Sequence, residues 1–194
     1  MWVDFLRSAH GSLNGLISFL RLLLPRCLGL RTAHGVRVGR GIEWPLGNLH
    51  NIQLDGNVSL GMRGWFYLPL NNRKARLHIE AGTSVGNDFV ITANDSIHIG
   101  RDCLISYRVT IMDHAHVTGW GTGPVSSGLT PGRPVEIGDR CFIGCNAVIM
   151  PGVRLGANCI VGANSVVTRS FEEGSVVAGA PAKLLRVIAP SKTC

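Results

Sequence analysis

Two histidines follow an aspartate in the run Asp113-His114-Ala115-His116. An imidazole titrates near neutral pH, so it can take a proton from an attacking hydroxyl or return one to a leaving group. Only one of the two has to face a given cleft, and the residues by themselves leave that choice open. Asp113 can orient an imidazole or cap a turn, and turn capping is the simpler reading. Asn94-Asp95, within ITANDSIHIG, reads the same way: a turn first, and a pair of groups for binding hydroxyls second. The six cysteines form no CxxC pair and have no histidine at finger spacing, so no structural metal is expected. Cys145 has no adjacent base that would make it a nucleophile. His78 and His98 lie where the sequence does not fix their direction, and no metal ligands are assigned.

The elements that position these groups announce themselves by repetition. Ile99, Ile105 and Ile111 are six residues apart, and Ile137, Ile143, Ile149, Leu155, Val161 and Val167 continue at that spacing. The second place in many of these hexads is glycine (Gly100, Gly138, Gly144, Gly156, Gly162), and the fifth is small or medium (Cys103, Val109, Cys141, Ala147, Val153, Cys159, Ser165). A helix of 3.6 residues per turn would carry the aliphatics around its axis, and a sandwich would place turns every 8–12 residues. A strand and a corner per hexad, with three hexads to a triangular coil, stacks the first-position aliphatics into one narrow core. Upstream, VRVGRGIEW, NIQLDGNVSLG and RLHIEAGTSVG share the rhythm less regularly.

Between Ile111 and Ile137 the gap is 26 residues, and the stretch is rich in Gly, Pro and Ser. A loop, residues 114–134, therefore leaves the prism there. His114 opens it from a fixed corner, where reactive groups are commonly held.

The chain is 45% apolar, enough for one core, and contains 25 glycines with only 6% aromatics, which suits many tight turns. Its +7 charge is concentrated at the start. Residues 1–40 contain Arg7, Arg21, Arg26, Arg31, Arg37 and Arg40 against Asp4, six minus one, or +5. These arginines accompany aliphatic residues and are not interleaved with stacking aromatics, so nucleic acid is not the expected partner. Leu13, Leu16, Ile17, Leu20, Leu23 and Leu24 form one helical stripe that Pro25 is expected to end. The stripe is too short to cross a bilayer. It predicts packing on its own domain or a neighbouring subunit, or contact of its apolar face with a membrane surface, the arginines meeting anionic lipid. No cleavable signal peptide is read at the start, so a cytoplasmic location, with or without contact at the inner membrane face, is expected.

The run IGDRCFIGCNAVIMPGVRLGANCIVGANSVVTRSF followed by GSVVAGAPAKLLRVI resembles the hexapeptide-repeat acyltransferases. The similar branch contains galactoside, maltose and nodulation-factor acetyltransferases and the polysaccharide O-acetyltransferases. The likeness covers about residues 77–188. It implies an all-β fold, a left-handed parallel β-helix, with an N-terminal amphipathic helix, a protruding loop and a short C-terminal helix. The divisions expected are 1–40 for the helical segment, 41–188 for the β-helix and 189–194 for a flexible tail.

The resemblance also implies acetyl-CoA as donor, no metal, and a homotrimer with clefts between subunits. His114 aligns with the family's general base, and His116 becomes an acceptor-side group with Asn94 and Asp95. Cys145 and Ala163 fall at backbone-contact positions for the pantetheine arm, with an amide near Cys145 available to an oxyanion. Thr168, Arg169, Lys183 and Arg186 fall near the nucleotide phosphates, where cationic groups suit the charge. Phe142 departs from the tryptophan that many relatives have. The gamma-type carbonic anhydrases use a similar prism, but their zinc needs three convergent imidazoles. The implied reaction is acetyl transfer to a sugar hydroxyl in polysaccharide or lipid-linked glycan assembly. N-acetylation of an amino sugar nucleotide and a non-catalytic scaffold stand as alternatives.

Overall fold

The computed structural model describes residues 16–119, 121, 123 and 128–188. The expected tail 189–194, and Leu13, Asp4 and Arg7 of the N-terminal reading, lie outside the described residues. Helix α1, residues 16–27, leads into nineteen strands. The first is β1 (Arg31–Thr32) and the last two are β18 (Ser175–Gly179) and β19 (Ala182–Val187). They form three sheets of six, eight and five strands, here called A, B and C. Every pairing except β18 with β19 is parallel, and each strand pairs with the equivalent strand one coil away.

The register repeats the sequence period. Ile105 lies beside Ile143 and Val85 on sheet B, Ile111 beside Ile149 and Ile91 on sheet C, and Ile137 beside Ile99 and Leu155 on sheet A. All of these are buried. The core is therefore a column of first-position aliphatics, with the fifth-position Cys103, Cys141 and Cys159 buried at one corner. Their thiols donate to the carbonyls of Gly138, Gly156 and Glu172.

Two further hexad places have a backbone reason. The fourth residue of each corner adopts positive φ: Asn57, Asp102, Arg108, Arg140, Asn146, Asn158 and Asn164 all lie between 53° and 61°. Asn and Asp tolerate this region best among residues with a Cβ. The second place brings neighbouring coils together. A Cβ at Gly61 would lie 2.5 Å from the Gly86 carbonyl carbon, and one at Gly144 2.6 Å from the Ala163 nitrogen.

Three sequence expectations need correction. The helix does not stop at Pro25 but runs to residue 27. Gly29, at φ 103°, ends it, with Leu30 N–H donating to the Pro25 carbonyl and Gly29 N–H to Arg26. That double closure satisfies two of the carbonyls that the end of the helix leaves free. The solenoid begins at Arg31, ten residues before the expected boundary at 41, because β1 and β2 (Arg37–Val38) already pair with β3 (Ile52–Leu54) and β4 (Ser59–Leu60). The C-terminal segment is not a short helix. After Gly179, at φ 104°, the chain reverses, and Ala182–Val187 pairs antiparallel with β18, covering a strand edge the last coil would otherwise leave open.

The side of α1 facing the solenoid is also not the predicted stripe. Ser18, Leu22 and Pro25 are buried, and Ser18 Oγ and an Arg21 guanidinium N–H donate to the Val38 carbonyl. Leu16, Leu20, Leu23 and Leu24 are exposed. The helix packs on its own domain as expected, but through Ser18, Leu22 and Pro25 instead of the leucine stripe.

Because Ile143 is fully buried between coils, Ile143→Ala is expected to lower the unfolding free energy by about 2–5 kcal/mol, measured by urea titration.

Candidate active site

Strand β11 (Thr110–Met112) and strand β12 (Val135–Ile137) bracket the loop. Asp113, the first residue after β11, is fully buried, and its carboxylate collects three donors. Oδ1 accepts the Asn94 backbone N–H at 2.7 Å and stands 2.7 Å from His114 Nδ1, and Oδ2 accepts the Asp95 backbone N–H at 2.7 Å. An amide N–H only donates, so the carboxylate acts as acceptor toward both amides, and His114 donates its Nδ1–H to Oδ1. Nε2 is then the nitrogen with a free lone pair. His114 is 7% exposed and otherwise enclosed, and its ring lies 6.2 Å, centroid to centroid, from Tyr67.

The loop leaves and returns as a narrow ribbon. Ala115 and Thr130 exchange hydrogen bonds, Val117 N–H donates to the Gly128 carbonyl, and His116 bridges Leu129. Arg133 N–H donates to the Asp113 carbonyl where the chain rejoins the prism. The structure thereby separates the two histidines: His114 is buried against Asp113, and His116 is exposed on the ribbon. The Asn94 side chain is engaged, its amide donating to the Thr130 carbonyl and its oxygen accepting from Asn72. Asp95 is exposed beside it.

The donor-side residues fall in two places. Cys145 and Ala163 occupy the same corner of successive coils, where Asn164 N–H donates to the Cys145 carbonyl. Tyr107 belongs to this corner too, and its hydrogen bond with Cys145 pushes the phenol up from its ordinary value. Thr168, Arg169 and Lys183 come together with Pro181, Ala182 and Leu184 around a hollow of about 480 Å³. Arg169 also stacks on Phe171, 5.2 Å from the ring centre. Arg186 is not in that lining, but a bulge sets its direction. Lys183 pairs with Ala178 and Arg186 with Val176, with a register shift at Val176/Val177. Residues three apart on a regular strand face opposite ways, and the extra residue turns Arg186 onto the Lys183 face.

His78 and His98 lie side by side on sheet A, with ring centres 5.3 Å apart, and together with Glu80 they offer ligand atoms within 4.8 Å of one another. Each is already paired: His98 with Glu80 at 2.9 Å, Glu80 with Arg101 at 2.8 Å, and His78 with Asp55 at 3.0 Å. Burial alone would raise the Asp55 carboxyl, but hydrogen bonds from Gln53 and His78 hold it below its ordinary value.

The repeat signature "Hexapeptide repeat of succinyl-transferase" matches residues 134–169. A protein described as a lipopolysaccharide biosynthesis O-acetyl transferase, WbbJ of Escherichia coli (strain K12), is 41% identical over 108 residues, covering 52% of this chain and 55% of that protein. The chain carries the hexapeptide repeat and is similar to acetyltransferases over about half of their length. A 2,3,4,5-tetrahydropyridine-2,6-dicarboxylate N-acetyltransferase of Halalkalibacterium halodurans is 36% identical over 138 residues, 62% of this chain and 56% of that protein. The chain spans about half the length of these curated relatives. The solved hexapeptide-repeat acetyltransferase VCA0836 of Vibrio cholerae O1 biovar eltor, complexed with acetyl coenzyme A, superposes with a TM-score of 0.63 at 24% identity, covering 97% of this chain and 90% of that one. The fold is the left-handed β-helix of these acyltransferases.

Asp113 holds both the imidazole and the Asn94-Asp95 turn, so Asp113→Ala strands buried donors, at about 1–3 kcal/mol for each one left unpaired. The expected result is a lower melting temperature together with loss of the single Nδ1-protonated tautomer of His114 in ¹⁵N histidine spectra.

Proposed function

We propose that the protein transfers the acetyl group of acetyl-CoA to a sugar hydroxyl, with His114 as general base. The observation that carries the reading is the enclosed imidazole whose Nδ1 is fixed by Asp113. Its Nε2 takes the hydroxyl proton as the sugar oxygen bonds to the thioester carbonyl carbon. The carbon–sulfur bond then breaks, and the proton passes to the departing CoA sulfur. Lys183, Arg169 and Thr168 around one hollow, with Arg186 turned to the same side, suit the phosphates of CoA. The amides near Cys145 and Ala163 suit the pantetheine arm and the oxyanion. Asn94, Asp95 and His116 remain the acceptor-side residues of this reading, with the exposed Asp95 and His116 free to meet hydroxyls and Asn94 holding the loop. The open hollow, which a neighbouring copy would close, supports a homotrimer with shared clefts.

A second reading, N-acetylation of an amino sugar nucleotide, is favoured by the likeness to an N-acetyltransferase. The two separate by product: an ester released by mild base or a stable amide.

No described helix is long and apolar enough to cross a membrane. We place the protein at the cytoplasmic face of a membrane through α1, whose exposed Leu16, Phe19, Leu20, Leu23 and Leu24 lie near Arg21 and Arg26.

Three outcomes are expected. His114→Ala lowers kcat by about 10²–10⁴-fold, read by CoA release with a panel of sugars, while acetyl-CoA still binds. Wild-type activity in that assay is undiminished by chelators. Leu20→Asp with Leu24→Asp abolishes flotation with anionic liposomes. A His114→Ala enzyme as fast as wild type would end the catalytic reading.

A further inference from the structure

The outer face of sheet C carries a groove of about 530 Å³ on the first two coils. Trp44, Pro45 and Leu46 form one wall, and Trp65, Tyr67 and Leu70 the other. Leu46 is 58% exposed and Leu70 73% exposed, and Trp65 is exposed as well. The side chains that could hydrogen-bond a ligand there are Glu43, Asn71, the Tyr67 phenol and the indole N–H groups of Trp44 and Trp65, and the rest of the lining is apolar. A hydrocarbon chain needs no hydrogen-bond partner, and it covers leucines and a tryptophan that now face water.

The groove reaches toward His114 through Tyr67. Tyr67 shares its register position with Thr92, and Thr92 with Met112, so its side chain lies over the small threonine toward the ring of His114. At the other end, the groove's first wall belongs to the first coil, which α1 caps through Val38. Arg31, Arg37 and Arg40, also of that coil, are exposed. From the first coil to His114, the molecule presents an apolar trough and then a base. A hydrocarbon seated in this trough has one end toward the base, where an attached sugar would sit.

We propose that this groove holds the hydrocarbon aglycone of a glycolipid acceptor and so presents the attached sugar hydroxyl to His114. The proposal rests on the acetyl-transfer reading of His114 and extends it to the class of acceptor. The test uses the full chain and two probes that share one sugar, methyl β-D-galactopyranoside and octyl β-D-galactopyranoside, the latter below its micelle concentration. In titration calorimetry the octyl glycoside is expected to bind saturably and at least ~10-fold tighter than the methyl glycoside. Leu46→Asn with Leu70→Asn, both on the surface, should remove that difference. Equal affinity for the two probes, or an unchanged preference in the double variant, overturns the proposal. So does a fall in oligomer mass of the variant by light scattering, which would make the groove a contact between copies. Acetyl transfer from acetyl-CoA to either glycoside is scored separately: absence of any acetylated product counts against the His114 chemistry, whereas the calorimetry decides the groove.

Discussion

In-register stacking of one coil on the next is the constraint from which the rest of the molecule follows. Parallel strands in adjacent coils lie about 4.8 Å apart, so an aliphatic at the first hexad place always meets its counterpart above and below. The same spacing admits nothing larger than hydrogen where Gly61 approaches Gly86 and Gly144 approaches Ala163. It also requires a left-handed residue at each corner, where Asn and Asp recur and where Arg63, Arg108 and Arg140 are carried with positive φ by the packing around them. The backbone is thereby rigid at every corner, including the one that ends in Asp113.

That rigidity is what turns a sequence neighbour pair into a site. Asp113 is where the coil would have turned, and the chain departs into the loop instead. Its buried carboxylate replaces the missing corner by accepting the N–H groups of Asn94 and Asp95 from the coil before. The second lone pair of Oδ1 is left for His114 Nδ1. The group that repairs the interrupted coil also fixes the imidazole, so the histidine keeps one tautomer and one direction without further side chains. His116, two residues farther, has left the prism and has only ribbon contacts.

A stacked solenoid has two open ends, and this chain treats them differently. At the end of the last coil, β19 turns back and covers the edge of β18, which places Lys183 beside Thr168 and Arg169. At the first coil α1 closes the core with Leu22 and a buried serine, leaving its leucines outward. One cap thus assembles a cationic hollow, and the other leaves an exposed apolar helix face.

The six-residue period was legible because it is a local consequence of a core only one aliphatic wide, and with it came the prism, the loop and the corner from which His114 projects. The irregular rhythm of VRVGRGIEW and NIQLDGNVSLG belongs to the same lattice, disguised by Gly at the fourth place (Gly35, Gly41) and by the Trp44–Phe66–Phe89 aromatic stack. What the residues in order could not disclose was anything set by neighbours distant along the chain. Asp113 reads as a turn former until the N–H groups of Asn94 and Asp95, nineteen and eighteen residues earlier, converge on it. Tyr67 gives no local sign of meeting an imidazole two coils later. AKLLRV has the composition of a helix and becomes a strand because β18 offers an unpaired edge. Periodicity is written residue by residue, whereas hydrogen-bond partners and exposed edges exist only once the coils have stacked.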